Sequence, residues 1–351
     1  MKFKLLGKSG LRVSELCLGT MTFGEDWKQS GMAAGNEEAR LIFDAFANAG
    51  GNFIDTANFY NNGSSEKLVG EFIQAERERF VLATKYSLTM RPNDPNGGGN
   101  HRKNMMQSLE ASLKRLKTDY IDLYWVHIWD FMTPVDEVMR ALDDAVTAGK
   151  ILYIGISDTP AWVIAQANTL AELRGWSEFV GLQVQYSLLE RAVERELLPM
   201  ASDMDIGVTA WSPLGMGLLT GKYRDQFSRS SSADPGVGRL ALPAMSGHPL
   251  NSGRNFSLAR KITGLAEEFG LKPAHVALSW LRNKGAIPII GARQGTQLVE
   301  NLECVNLTLS PEQVRRLDEA SGIELGFPHD LLQSAQKIIH GSSASMIENH
   351  R

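Results

Sequence analysis

Four polar residues stand at or just beyond the ends of short apolar segments: Asp55, Tyr60, Lys85 and His127. The segments are strand-like, and helix-length stretches separate them: 52–57, 80–85 and 121–127. A polar group that ends a buried strand costs desolvation free energy unless something pairs with it. Three such endings in succession therefore predict one shared pocket. A phenol, an ammonium, a carboxylate and an imidazole in one pocket suit proton and hydride chemistry at a carbonyl group.

Composition and charge are ordinary for an enzyme. Hydrophobic residues make up 43% of the 351 residues, charged residues make up 22%, and the formal net charge of −4 gives no electrostatic reason to expect nucleic acid. Cys17 and Cys304 lie far apart and outside any metal-spaced set, so we expect reduced thiols, a cytoplasmic location and no metal site. No run of about 18 apolar residues occurs, so we expect neither a signal peptide nor contact with a membrane.

Strand-like and helix-like segments alternate along the whole chain. The eight strand candidates are 16–20, 52–57, 80–85, 121–127, 151–157, 180–186, 207–212 and 286–291. The helix candidates include 37–49, 65–74, 103–116, 135–148, 161–174, 194–202, 257–269, 273–283 and 296–304. Nearly continuous apolar strands followed by helices predict the α/β class and a (β/α)8 TIM barrel in one domain, 1–351. An open doubly wound sheet is the competing architecture, but no GxGxxG follows the first strands.

Three segments fall outside the repeat. The opening KFKLLGKSGLRVSEL predicts a hairpin across Gly7 to Gly10 that plugs the N-terminal end of the barrel. Residues 223–254 follow the seventh strand and are rich in Ser, Gly and Pro, which predicts a long mobile loop, either a lid or a solvated insertion. We expect part of the tail, 322–351, to pack near the open end of the barrel and its last residues to fray.

The chain resembles the aldo-keto reductase family over nearly its whole length. The matching strings, in the family's order and spacing, are LCLGTMTFG from 16, NFIDTANFYNNGSSEKLVG from 52, ATKYS from 83, DYIDLYWVHIWD from 119, GISD from 155, VQYSLLER from 184, WSPLGMGLLTGKY from 211 and IPIIGARQGTQLVENL from 287. The resemblance implies a (β/α)8 barrel, a nicotinamide cofactor bound without a Rossmann fold, and reduction of aldehydes or ketones to alcohols.

Carried onto the matching positions, the resemblance makes Tyr60 the proton donor. A phenol has a pKa of about 10, and the nearby Lys85 ammonium should lower it, with Asp55 orienting the lysine. His127 would donate a hydrogen bond to the carbonyl oxygen. Each residue alone also has a structural explanation, namely a cap, a salt bridge, loop packing or a satisfied core histidine.

The resemblance also places the nicotinamide end of the cofactor. Ser157 and Gln185 would bond the carboxamide, and Trp211 would stack on the ring. Asp158 stands where the family more often carries Asn, and a carboxylate can accept a hydrogen bond but cannot donate one, which leaves its role open. The turn after the first strand is the remaining predicted cofactor contact in this region: Gly19, Thr20 and Met21.

The phosphates are expected after the last two strands. We expect the pyrophosphate along a glycine-containing turn with one lysine: Ser212, Leu214, Gly217 and Lys222. The adenosine end is expected at Gly291, Arg293, Gln297 and Asn301. A bidentate contact from Arg293 to a 2′-phosphate would favour NADPH, although NADH stays possible.

The substrate is predicted to be a small carbonyl compound that enters an aromatic opening. The residues expected to line it beside Tyr60 are Phe23, Trp27, Tyr86 and Trp129. Two rival functions stay open: a lyase that forms a Schiff base on Lys85, and a regulatory protein that binds the cofactor with little turnover. The sequence does not predict an oligomeric state.

Overall fold

The computed structural model describes residues 1–223 and 247–348. It opens with an antiparallel hairpin of β1 (Phe3–Leu5) and β2 (Arg12–Ser14). Leu6, just after β1, and Val13, within β2, are fully buried and pack against the inner face of the barrel strands. The predicted N-terminal hairpin is confirmed, and its apolar side chains fill the N-terminal end of the barrel.

Eight parallel strands then close into a barrel, in which each strand pairs with its neighbours in chain order and the last strand pairs with the first. The strands are β3 (Cys17–Gly19), β4 (Phe53–Asp55), β5 (Val81–Tyr86), β6 (Ile121–Val126), β7 (Ile151–Ser157), β8 (Phe179–Gln185), β9 (Gly207–Trp211) and β10 (Ile287–Ile290). The register of Ile290 opposite Leu18 closes the ring. The predicted (β/α)8 barrel is confirmed, and all eight predicted strands lie within a few residues of the observed ones.

Helices cover the outside of the barrel. They are α1 (Asn36–Asn48), α2 (Ser64–Ile73), α3 (Arg102–Leu116), α4 (Val135–Thr147), α5 (Ala161–Arg174), α6 (Leu197–Asp203), α7 (Gly253–Glu268), α8 (Pro273–Asn283), α9 (Gly295–Leu302), α10 (Pro311–Ser321), α11 (His329–Ser334) and α12 (Gln336–His340). The segment predicted as one helix at 194–202 is instead a 3-10 turn, Ala192–Glu194, followed by α6. Helix α10 was not predicted, although Ser310 and Gln313 form a capping box at its start.

Trp125 fills the middle of the barrel. Its side chain is fully buried, and a Cβ atom at Gly155 or Gly181 on the next two strands would collide with its ring. Strand-interior glycines are unfavourable on their own, so these two are explained by the space that the indole takes.

The predicted loop and tail are only partly covered by the described residues. Residues 224–246, where the lid was predicted, lie outside them. Helix α7 begins at Gly253, so the C-terminal end of the predicted 223–254 loop was wrong by two residues. In the tail, the Glu324 carbonyl accepts a hydrogen bond of 2.9 Å from Arg195, which lies in the segment after β8. Within the described ranges, no helix is both long and apolar enough to cross a membrane.

Candidate active site

The carboxyl-terminal ends of the barrel strands, called the mouth here, bring Asp55, Lys85 and Tyr60 together. Lys85 is the penultimate residue of β5, its side chain is fully buried, and its Nζ forms an ion pair with Asp55. The same Nζ donates to the Tyr60 hydroxyl at 3.1 Å and to the Thr56 carbonyl at 2.9 Å. All three protons of the ammonium are therefore used, which fixes its position.

Gln183 completes this group, and sequence reasoning missed it. Its Nε2 donates to the second carboxylate oxygen of Asp55 at 2.9 Å. Gln183 lies two residues before Gln185 in β8, so both face the same side of the sheet. The signal was therefore the strand alternation itself, since a glutamine facing the barrel interior must find a partner.

The turn after β4 positions Tyr60. The chain passes from Asp55 into a 3-10 turn, Tyr60–Gly63, in which Asn61 and Asn62 have φ values of 45° and 53°. Asparagine tolerates this left-handed backbone better than most residues. The Asn61 amide is fixed on both sides, because it accepts from the Trp27 N–H at 2.9 Å and donates to the Met21 carbonyl at 2.9 Å. The phenol is therefore held by a turn that is tied to the loop after β3.

The pKa of Tyr60 corrects one expectation. Burial raises it above the ordinary value of 10.0, the Lys85 ammonium lowers it, and the Asp55 carboxylate raises it again. The net direction is upward, so the predicted lowering of this pKa was wrong. The main reason is that burial disfavours the charged phenolate, and Asp55 in addition offsets part of the Lys85 charge. Tyr60 consequently holds its proton throughout the neutral range.

His127 lies on the other side of Tyr60. The two ring centroids are 5.8 Å apart with planes at 84°, and the His127 backbone N–H donates to the Tyr86 carbonyl at 3.0 Å. Burial and the nearby Lys85 charge hold the pKa of His127 well below 6.5, so the imidazole is neutral at neutral pH. Its Nδ1 is buried and has no hydrogen-bond partner among the described residues. A buried polar atom without a partner in the protein is expected to form a hydrogen bond with a ligand or a water.

The four residues predicted around the nicotinamide lie at or just after the ends of neighbouring strands. Ser157 is buried at the end of β7, and Gln185, at the end of β8, pairs in register with Trp211 of β9. The Trp211 indole N–H donates to the Asp158 carboxylate at 3.1 Å. The structure thus brings the four residues predicted around the nicotinamide to adjoining strand ends, with Asp158 bonded to the indole.

The turn after β9 provides a setting for an anionic group. Met216 and Gly217 have φ values of 55° and 97°, and a Cβ atom at Gly217 would lie 2.5 Å from Lys222 Nζ. Lys222 therefore lies directly over a position that only glycine can occupy. The Gly217 N–H itself donates to the Leu214 carbonyl at 2.9 Å, so the attraction for a phosphate would come from the ammonium and not from this amide. The charge and the space at this turn fit a pyrophosphate, and its binding here stays a prediction.

The residues predicted to bind the adenosine end of the cofactor differ in their exposure. Arg293 is half-buried and donates to the Gly31 carbonyl at 2.7 Å, and the Gln297 side chain accepts from the Arg293 backbone N–H at 3.1 Å. Asn301 is buried, whereas Gln297 is exposed, so the two do not present one shared polar face. Gly291 is exposed at the end of β10.

The end of β3 and the loop after it offer mainly backbone groups to the predicted cofactor site. Gly19 and Met21 are half-buried, whereas Thr20 is fully buried and its hydroxyl donates to the Asp55 carbonyl at 3.1 Å. The Thr20 side chain is therefore already bonded within the protein. Ser212 is half-buried with a φ of 52° at the start of the next turn.

Two of the four predicted substrate residues lie where they cannot touch a ligand. Tyr86 is fully buried, stacks on Tyr124 with ring centroids 5.3 Å apart, and donates to the Asn100 carbonyl. It follows Lys85 in the strand and so points to the opposite side. Phe23 is also fully buried and packs edge-on against Phe72 of α2.

Trp27 and Trp129 are better placed. The half-buried Trp27 ring lies 5.8 Å from that of Phe59, next to Tyr60 in the chain. Trp129 is 7% exposed and lies two residues after His127, in a segment whose Phe131 and Met132 are 68% and 84% exposed. Aromatic and apolar groups therefore surround the approach to Tyr60 and His127. Within the described ranges, no group of three or more His, Cys, Asp or Glu residues is arranged to hold a metal.

The fold and the site define a barrel enzyme whose mouth holds a phenol, a paired ammonium and a neutral imidazole. Residues 15–321 match the model of the aldo/keto reductase family. The chain is 38% identical over 337 residues to the norsolorinic acid reductase of Aspergillus flavus, covering 93% of this chain and 83% of that protein. It is 36% identical over 347 residues to the aryl-alcohol dehydrogenase [NADP(+)] of Phanerodontia chrysosporium, covering 94% and 89%. Norsolorinic acid reductase B of Dothistroma septosporum is 36% identical over 341 residues, covering 94% and 83%. This chain belongs to the aldo/keto reductase family and is an oxidoreductase.

Proposed function

We propose that this protein reduces aromatic aldehydes or ketones to alcohols with NADPH and that Tyr60 supplies the proton. The support for the cofactor is the NADP(+) in the name of one relative, and the support for the substrate class is its aryl alcohol. The aromatic approach formed by Trp27, Phe59 and Trp129 fits a flat, apolar substrate.

The observation that carries the proposal is the contact between the Lys85 ammonium and the Tyr60 hydroxyl at 3.1 Å, with the His127 ring beside it. When bound, NADPH supplies the hydride. Lys85 stabilises the negative charge that develops on the phenol oxygen as its proton leaves. His127, which is neutral, donates a hydrogen bond to the carbonyl oxygen and holds it near the hydroxyl.

The proton donor needs no low pKa for this role. Its pKa lies above 10.0, so it is fully protonated before the reaction. The proton moves only as negative charge builds on the substrate oxygen, and the fixed ammonium favours that step without reorganising. The reverse reaction, alcohol oxidation, uses the same groups in the opposite order and is expected to need higher pH.

The same geometry argues against a Schiff-base lyase. A lysine must be neutral to attack a carbonyl. Burial lowers the pKa of Lys85, but Asp55 and Tyr60 together raise it more, and the net direction is upward. The ammonium is therefore kept charged and locked in its ion pair.

A panel of aldehydes and ketones tests the proposal. The purified protein is mixed with NADPH and each compound, and NADPH oxidation is followed by absorbance. We expect turnover with aryl carbonyls above that with short aliphatic ones. NADPH binding without turnover of any carbonyl would instead favour the regulatory protein.

The Arg293→Ala variant tests the cofactor preference in the same assay. If Arg293 contacts the 2′-phosphate, its loss weakens NADPH binding about tenfold or more and leaves NADH binding nearly unchanged. Equal losses for both cofactors would contradict that role.

A further inference from the structure

Asp158 is an unusual residue at the mouth. It follows β7 directly, its backbone has a φ of 40°, and its carboxylate accepts the Trp211 indole N–H at 3.1 Å. A left-handed backbone is uncommon outside glycine, and aspartate is among the side chains that tolerate it. The carboxylate is thus held against an aromatic ring at the end of a neighbouring strand.

This carboxylate lies within electrostatic range of the proton donor. Its charge acts to raise the pKa of Tyr60. Partial desolvation raises the pKa of Asp158 itself, and the Trp211 hydrogen bond and the Lys85 charge offset only part of this rise. In residues 1–223 and 247–348, the ion pair of Lys85 is made with Asp55, and Asp158 forms none. Asp158 therefore adds a negative charge that no close cation in this part of the chain cancels.

A hydride carrier has to approach Tyr60, because the proton and the hydride go to the oxygen and carbon of one carbonyl group. The nicotinamide ring is neutral when reduced and carries a positive charge when oxidised. A nearby fixed carboxylate stabilises the charged form and leaves the neutral form almost unaffected. Its effect therefore differs between the two redox states.

We infer that Asp158 makes this protein bind NADP+ more tightly relative to NADPH than a neutral residue at this position would. Since reduction converts the neutral ring into the charged one, the carboxylate also favours carbonyl reduction over alcohol oxidation on the enzyme. The inference rests on the proposed function. Two unit charges about 4 Å apart in a watery setting interact by about 1 kcal/mol, which is about fivefold in an equilibrium constant. Asp158 is exposed, so this screened figure is the appropriate one.

The test is a binding measurement on four proteins: the unaltered chain, Asp158→Asn, Asp158→Ala and Asp119→Asn. Dissociation constants for NADP+ and NADPH are measured separately by calorimetry, without substrate. The asparagine keeps an oxygen that accepts from Trp211 and removes only the charge. Asp119 is exposed just before β6, at the opposite end of the barrel, and controls for the change in net charge.

We expect the ratio of the NADP+ to the NADPH dissociation constant to rise about fivefold in both Asp158 variants and to stay unchanged in Asp119→Asn. The rise should shrink as salt is added. An unchanged ratio in Asp158→Asn overturns the inference, as does a change seen only in Asp158→Ala, which would assign the effect to the indole hydrogen bond. If the unaltered chain binds neither dinucleotide, the proposed function itself fails.

Discussion

Replacing one partner of the buried ion pair between Asp55 and Lys85 should destabilise the fold far more than replacing both partners. Lys85 is 0% exposed and Asp55 is 2% exposed, so neither charge can turn to water when its partner is lost. In Lys85→Met, the carboxylate keeps only the Gln183 hydrogen bond, and we expect a loss of about 3–5 kcal/mol in the free energy of unfolding. Asp55→Asn leaves a buried ammonium and should cost about 3 kcal/mol.

The double variant, Asp55→Asn with Lys85→Met, buries no charge. We expect it to lose only about 1–2 kcal/mol, for the hydrogen bonds to Thr56 and Tyr60 that disappear. It should therefore be more stable than Lys85→Met alone, although neither can support catalysis by Tyr60.

Equilibrium urea unfolding, followed by tryptophan fluorescence and circular dichroism together, measures these differences. If the double variant loses as much as the two single variants added together, the two charges do not depend on each other and the reasoning about the pair is wrong.

Three further predictions follow from other parts of the molecule. First, kcat/KM for carbonyl reduction should be flat between pH 6.5 and 10.0, because the pKa of His127 lies below this range and that of Tyr60 lies above it. A fall on the acid side of the range would contradict the direction for His127, and a fall on the alkaline side would contradict the direction for Tyr60. Second, Asp130→Ala should lower the free energy of unfolding in urea by about 2 kcal/mol and raise KM. Asp130 accepts from the backbone N–H groups of Asn100 and Thr133 and so connects the loop after β5 to the segment that carries Trp129. An unchanged KM would show that this connection does not shape the site. Third, Gly155→Ala should lower the free energy of unfolding by about 1–3 kcal/mol, because the added Cβ collides with the Trp125 ring. Gly10→Ala is the control, because a Cβ there meets no atom within 4 Å. Equal stabilities of the two variants would mean that the barrel interior has spare room.

The convergence of Asp55, Lys85 and His127 was predictable because parallel strands end on the same side of a barrel. Their distances along the chain therefore did not matter. The loop residue Tyr60 was predicted through the resemblance, and the structure explains its position by the asparagine-rich turn that follows it. The order of the strands was also predictable, because consecutive strands usually lie side by side, and each strand here pairs with the next in sequence.

The side of the sheet that each strand side chain faces was predictable, but the prediction of Tyr86 as a substrate contact did not take it into account. Tyr86 follows Lys85 in one strand, and neighbours in a strand point to opposite sides, so Tyr86 had to face the helices. The same alternation places Gln183 with Gln185 on the inner side. These two positions needed only the strand parity.

The pKa of Tyr60 was beyond sequence reasoning. Its direction depends on how far burial, the Lys85 ammonium and the Asp55 carboxylate offset one another. Each of these effects depends on distances and exposure that the sequence does not contain. The proximity of Lys222 to Gly217 is similar, because a tight turn with two left-handed residues creates it.

The most direct test of the account is single-turnover reduction of an aryl aldehyde by the Tyr60→Phe variant with stoichiometric NADPH. The ring and its packing against His127 are kept, and only the hydroxyl 3.1 Å from Lys85 is removed. The account predicts a rate at least about a hundredfold lower, with an NADPH dissociation constant within about twofold of the unaltered protein. A rate that stays close to that of the unaltered protein would mean that another group protonates the carbonyl oxygen.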